Sequence, residues 1–365
     1  MSRIPFGVLI SIILILVSYF TSKMYALGFR FEIIASRVAF VTFLIVPILF
    51  VTSVVLARSG HIAASLYREI QLLAGIGFYL FIGAILLALC LIVAAIAGTQ
   101  LPIGIAWGVL ALSLIFAAVG YIQSTYITIT PYTVTLSGAP ASWEGRTAVL
   151  ISDTHVGLVN HKTFSNTVVD KILEIKPDFV LHAGDFYDGP PVDTLPITAS
   201  WKQLTQSIPV FFGPGNHEEY GNYGVLVDSI RAAGVTVLDD KKVVLDGVQI
   251  AGITYRAGKD NPDAARALES LGITDQEPAI LINHPPTALA AAVANHVDLQ
   301  VSGHTHNGQF WPMTYLVRKI YDTYYYGLKD YETMKVITTS GVGTFGPPFR
   351  LFNPPELVLI TFKSK

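Results

Sequence analysis

The sequence predicts an α/β layered domain preceded by an all-α transmembrane bundle of about four helices. Three observations lead there. No Asp, Glu, Lys or Arg occurs from residue 71 through 143, and the 365-residue chain is 52% hydrophobic with a mean hydropathy of +0.52, so part of it belongs in lipid. Beyond about Tyr126, short runs rich in Val, Ile or Phe alternate with stretches of helical length. Five of those runs each end in a polar cluster of carboxylate, amide or imidazole side chains.

The membrane half is expected over residues 1–122, with apolar runs at 4–20, 38–57, 72–98 and 103–122. Each can cross a hydrocarbon core of about 30 Å as a helix, the first only barely. Arg3 ahead of the first run would also suit a signal peptide, but no clear cleavage site follows and three further runs do. Pro5 stands at a helix start, where it is tolerated, whereas Pro47 is expected to kink its helix. The connector at 98–102 reads as a tight turn between the third and fourth spans. No charged side chain lies inside a span, which favours an anchor over an ion path or transporter. Arg3, Arg58 and Arg68 fall on one side and Lys23, Arg30 and Arg37 on the other, so basic residues do not set the orientation. The uncharged stretch at 123–143 leans toward an extracytoplasmic C-terminal domain.

Residues 1–122 carry six Lys/Arg and two Asp/Glu, a net of +4; residues 123–365 carry eighteen and twenty-four, a net of −6. A mildly acidic second half offers no broad basic surface for duplex nucleic acid, which is not expected as a partner. Cys90 is the single cysteine and lies in an apolar run, so cysteine usage says nothing of redox compartment.

After a linker and first strand at 123–146, the domain at 147–365 places buried strands at 147–152, 179–183, 210–212, 279–282 and 299–302, with helices at 162–175, 223–233 and 286–294. The polar clusters follow the strands: Asp153 and His155; Asp185 and Asp188; Asn216, His217 and Glu218; His284; His304 and His306. In an α/β sheet the loops at strand carboxyl ends converge on one crevice, so residues distant in sequence can meet there. The set Asp153, His155, Asp185, Asn216, His284, His304 and His306 contains no thiolate, and suits Mn²⁺, Fe or Zn²⁺ better than a structural zinc site or a calcium cage. Seven ligands suffice for two cations with room for substrate. A lone Asp-x-His or His-x-His pair is commonly incidental; five clusters in order, each at a strand end, are not. His61, His161, His182 and His296 read as loop, surface or core residues.

These motifs resemble those of the calcineurin-like metallophosphoesterase superfamily over about residues 148–362. The stretches Gly303-His-Thr-His-Asn-Gly-Gln309, Gly341-Val-Gly-Thr-Phe-Gly-Pro-Pro-Phe-Arg350 and Pro354-Pro-Glu356 resemble its bacterial membrane-associated branch, with Asn307 standing where that branch usually has glycine. The resemblance implies a four-layer α/β/β/α sandwich. It implies two divalent metal ions, one held by Asp153, His155 and His306, the other by Asn216, His284 and His304, with Asp185 bridging. His217 would be the acid or charge stabiliser, oriented by Asp188, and a hydroxide shared by the cations would attack phosphorus in line. Arg350 is a candidate for contact with substrate phosphate, or for an internal salt bridge.

The expected substrate is a phosphodiester or pyrophosphate, lipid-linked or envelope-associated, since similar enzymes cleave UDP-diacylglucosamine; a phosphomonoester or cyclic nucleotide is the alternative. A non-catalytic metal-binding sensor is the alternative of another class. Tyr315, Tyr321, Tyr324, Tyr325 and Tyr326 either contact lipid headgroups or pack within the domain. The expected location is a bacterial cytoplasmic membrane, as an integral multi-pass protein.

Overall fold

The computed structural model describes the backbone of residues 6–364 and the side chains of 11–364. Arg3, Ile4 and Pro5, at the start of the first apolar run, lie outside the described residues. Two compact units result, residues 1–122 with 346–349, and residues 123–345 with 350–365.

The first unit is helical: α1 (Phe6–Phe29), α2 (Ile33–Arg58), α3 (Ala64–Ile96) and α4 (Ile103–Gln123). All four are long and apolar enough to cross a membrane. Their ends overrun the apolar stretches, since α1 takes in Lys23 and α3 takes in Arg68 and Glu69. Hydropathy marks the lipid-length core, whereas the backbone ladder continues as long as polar side chains do not compete with it. Ser18, Thr21 and Ser22 donate back to helix carbonyls of Leu14, Val17 and Tyr19, which satisfies each hydroxyl without breaking the helix. Helix α2 runs on across Pro47. The helices approach closely at Gly83 of α3, where any Cβ would strike Ser113 of α4 and the Tyr25 hydroxyl of α1. Most Ile, Leu and Val side chains of these helices point outward, as lipid contact requires.

The second unit contains, in chain order, β1 (Thr128–Leu136), β2 (Thr147–Ile151), α5 (Lys162–Ile175), β3 (Phe179–His182), α6 (Thr194–Leu204), β4 (Val210–Phe212), α7 (Asn216–Tyr220), α8 (Tyr223–Ala232) and β5 (Thr236–Val237). There follow β6 (Lys241–Leu245), β7 (Val248–Gly252), α9 (Tyr255–Gly258), α10 (Asn261–Leu271), β8 (Ala279–Ile282), α11 (Leu289–Ala294), β9 (Leu299–Ser302), α12 (Thr314–Tyr321), β10 (Gly327–Tyr331), β11 (Met334–Thr338) and β12 (Glu356–Ser364). One six-stranded sheet has the order β1-β12-β2-β3-β4-β5, the other β10-β11-β9-β8-β7-β6.

Alternation along the strands builds the layers. In β2, Val149 and Ile151 face a core shared with α5, α6 and α8, while Ala148 and Leu150 face a core shared between the two sheets. In β8, Ile280 and Ile282 join the intersheet core while Ala279 and Leu281 pack on α10 and α11. Both faces of each strand are buried, so these strands read as unbroken apolar runs. The result is the expected α/β/β/α arrangement. Helix 286–294 is shorter than expected, because Ala288 adopts a left-handed conformation (φ 60°) and α11 begins only at Leu289.

Candidate metal centre

The loops after β2, β3, β4, β8 and β9 bring their side chains to one place. Asp153, His155 and His306 offer atoms all within 4.8 Å of one another, as do Asp185, His284 and His304, and a third set joins His155, Asp185 and His217. Asp185 thus stands between the two flanking groups: its Oδ2 is 3.1 Å from His284 Nε2 and 3.8 Å from His155 Nε2. His306 Nε2 lies 3.3 Å from Asp153 Oδ1 and 3.1 Å from His155 Nε2. On the other side, Asn216 Oδ1 and His304 Nδ1 are 3.1 and 3.2 Å from His284 Nε2.

This donor set fits divalent metal. Lone-pair atoms converge here with too few protons to pair them: two imidazole Nε2 atoms face each other in His155 and His306, and both are buried. Several contacts fix the rings and carboxylates from behind. His284 Nδ1 donates to Ala183 O (2.6 Å), which turns Nε2 inward; Asp153 Oδ2 accepts from Ser152 Oγ (2.6 Å) and His304 N (3.0 Å); Asp185 Oδ1 accepts from His217 N (2.8 Å).

Backbone strain gathers at the same residues. Asp153, His155, Asp185, His304 and His306 all have positive φ, between 43° and 68°, a region that side-chain-bearing residues rarely enter. Asn307 does too (φ 50°, ψ 30°), which accounts for a residue other than glycine there: Asn tolerates the left-handed region, and the loop is held by Thr314 Oγ1 donating to Asn307 O (2.9 Å). The glycine of the third cluster has a different task, because a Cβ on Gly215 would collide with the Asp185 carboxylate.

Charge is distributed to match. Burial raises Asp153 to about 6. Burial opposes charge on His284, but Asp185 and then Asp153 outweigh it and hold the ring protonated up to about 9; the same pairing holds Asp185 well below the usual carboxylate range despite its burial. Burial and then neighbouring imidazoles hold His155 and His306 well below 6.5, and bring His304 to about 3, so all three present neutral rings at pH 7.

Other expectations meet the structure differently. His217 is oriented by the main chain of Asp188, its Nδ1 donating to Asp188 O at 2.9 Å. The Asp188 carboxylate is nearer His155 Nδ1 (3.6 Å) than His217 Nδ1 (4.0 Å), and burial raises it to about 7. Arg350 is fully buried behind His306, not at a substrate-facing surface. Its guanidinium donates to the carbonyls of Gly343 and Ser340 and lies 3.1 Å from His306 Nδ1, with no carboxylate paired to it among the described residues. Of the tyrosines, Tyr321 packs edge-on to His304 (6.0 Å), Tyr324 packs on Tyr331 and Tyr326 donates to Glu356, while Tyr315 is exposed.

Glu218 lies outside the set of residues expected at the site. It is fully buried and accepts backbone N–H groups from Asp185 (3.0 Å), Gly215 (2.8 Å) and Tyr187 (3.1 Å), locking two of the five loops together. Its position three residues after Gly215, as in a capping box, was the available signal. Phe345 and Tyr220, both exposed, lie against His217, and Tyr255 lies against His304. Gln309 holds Phe345 by two reciprocal bonds to its main chain. A cavity of about 560 Å³ lies beside the cluster, walled by Lys259, Thr287, Tyr321 and Tyr331 and by none of the candidate ligands.

Two packed mixed sheets thus carry a buried carboxylate and imidazole cluster at their strand ends, and the comparisons with known proteins say which family has this arrangement. The model of the calcineurin-like phosphoesterase family matches residues 147–308. An uncharacterized metallophosphoesterase of Aquifex aeolicus is 30% identical over 265 residues, 70% of this chain and 98% of that protein. One of Campylobacter jejuni is 31% identical over 223 residues, 60% of this chain and 59% of that protein. A transmembrane protein with metallophosphoesterase domain from Danio rerio is 27% identical, covering 62% of this chain and 55% of its own length. This chain belongs to the calcineurin-like metallophosphoesterase family. With its four long apolar helices it is a membrane protein of that family. The match spans 59–60% of the length of the Campylobacter and Helicobacter relatives.

Proposed function

We propose that this chain is a membrane-anchored hydrolase that uses two divalent cations, Mn²⁺, Fe or Zn²⁺, to cleave a phosphodiester or pyrophosphate bond in a lipid-linked or envelope-associated substrate. The observation that carries the reading is the place of Asp185, whose carboxylate lies between the His155 side and the His284 side of the cluster. Asp153, His155 and His306 would hold one cation, Asn216, His284 and His304 the other, with Asp185 shared. Bound there, the cations would supply positive charge to the phosphoryl oxygens and acidify water toward neutral pH.

The chain's own residues supply the rest. His217 Nδ1 is fixed on Asp188 O, which leaves Nε2 to donate a proton or hydrogen bond to a departing oxygen when the ring is protonated. Exposed rings at Phe345 and Tyr220 give a second substituent on phosphorus an apolar surface, which supports a diester over a monoester. Arg350 positions His306 and does not touch substrate.

The test uses the full chain, metal-reconstituted in detergent, with bis-p-nitrophenyl phosphate, p-nitrophenyl phosphate and extracted membrane lipids followed by mass spectrometry. Diester turnover and a matching mass loss in a lipid are expected. Faster monoester turnover would reassign the bond, and metal binding without any hydrolysis would make the domain a sensor.

A further inference from the structure

Helix α12 lies in the same loop as His306 and carries two opposed faces. Its inward row is Thr314, Val317 and Tyr321: Thr314 Oγ1 accepts from Asn353 Nδ2 (2.9 Å), and the Tyr321 ring meets His304. Its outward row is apolar where a soluble surface would be polar. Leu316 is 50% exposed and Ile320 63%, and being four residues apart they form one ridge. Tyr315, 67% exposed, and Lys319 form the adjacent row, with Arg318 also exposed.

An aliphatic ridge edged by Tyr, Lys and Arg has the chemistry of the boundary between headgroups and acyl chains. Aliphatic groups enter the boundary, a tyrosine ring lies at headgroup level, and basic side chains reach back to anionic phosphates. The chain also keeps a bilayer at hand. Glu356 Oε2 accepts from Tyr326 OH (3.0 Å), just beyond α12, and from Thr130 Oγ1 (2.7 Å), in the first turn of β1. Only residues 124–127 separate β1 from α4, a helix of membrane-spanning length. Within the domain, the segment that follows α12 is thus tied through Glu356 to the first strand, which the chain enters shortly after α4.

We propose that α12 lies in the headgroup layer of a bilayer, with Leu316 and Ile320 dipping into the acyl boundary and Arg318 and Lys319 pairing with anionic lipid phosphates. The approach to His304 past Tyr321 then opens beside lipid. The docking stands whether or not the domain is a hydrolase, and it supplies a reason for a lipid-borne substrate if it is.

The test places the full chain in nanodiscs of phosphatidylcholine with phosphatidylglycerol. A fluorophore is attached at Leu316→Cys in a Cys90→Ala background, and at Asp170→Cys on α5 as a control. Lipids spin-labelled near the headgroup should quench the Leu316 label at least about twofold more than the control, the contrast expected of an interfacial helix. Omitting phosphatidylglycerol, or combining Arg318→Glu with Lys319→Glu, should reduce that quenching by about twofold or more. Equal quenching at the two positions overturns the proposal, as does quenching indifferent to lipid charge. Disulfide linkage of two Leu316→Cys chains, with no lipid quenching, would assign the ridge to a second copy instead. None of these readings depends on turnover, so failure here is separable from failure of the hydrolase reading.

Discussion

Replacing Glu218 with Gln keeps the shape of the side chain and removes one acceptor. Oε2 takes two backbone N–H groups, those of Asp185 and Gly215, and Oε1 takes one, that of Tyr187. The amide oxygen can stay on the two-donor side, which leaves the NH₂ facing the Tyr187 N–H in a fully buried setting. One hydrogen bond to a charged group is lost, about 1.5–3 kcal/mol, and two donors are left opposed. In a domain of this size about 1 kcal/mol moves Tm by ~2–4 °C, so a fall of about 3–12 °C is expected. Burial, then Asp185, raises the Glu218 carboxyl to about 7. A folded-state pKa above the unfolded value means that, as pH falls through about 7, the folded chain takes up a proton the unfolded chain does not, which stabilises the wild type; its lead over the non-titrating variant should therefore widen from pH 8 to pH 6. The assay is thermal unfolding of the full chain in detergent at both pH values, with metal content measured in parallel. A Tm change under about 1 °C at pH 8 would refute the view that this carboxylate ties the two loops together.

His217→Ala should leave metal content unchanged and lower turnover by about two to four orders of magnitude, measured by elemental analysis beside diester hydrolysis; equal loss of metal would make His217 a ligand. Cations must displace protons from Asp153, raised to about 6, and from His284, raised to about 9. Apparent metal affinity should therefore rise with pH from 5 to 9, and binding at pH 7.5 should release about one proton per chain through His284, read by calorimetry in buffers of different ionisation enthalpy. Arg350→Lys cannot reproduce the bonds to Gly343, Ser340 and His306 together, and should lower Tm and metal occupancy without a selective rise in KM. A KM effect alone would restore Arg350 to the substrate.

The parts of the fold that surround the cluster were legible because physics repeats itself there. Strands buried on both faces leave short unbroken apolar runs, and the chemistry sits at their ends, so β2, β3, β4, β8 and β9 lie within a residue of their expected bounds. The exposed edges were not legible. In β6 no side chain is fully buried, and in α12 Leu316 and Ile320 face outward, so neither gives the signature of a packed element. Arg350 shows a different limit: an arginine in sequence suggests a surface or an ion pair, and only the fold reveals carbonyl oxygens gathered around it. The role of Asp188 was blurred because the orienting atom belongs to the main chain, which carries no residue-specific signal.

Metal stoichiometry of the purified full chain, wild type beside Asp185→Asn, is the most direct measurement of whether five strand-end loops build one two-cation centre. The proposed function predicts two divalent ions per wild-type chain and loss of both ions and hydrolysis in the variant, with the fold intact by circular dichroism. A wild-type chain that holds one ion or none after reconstitution, or a variant that keeps both, would contradict it.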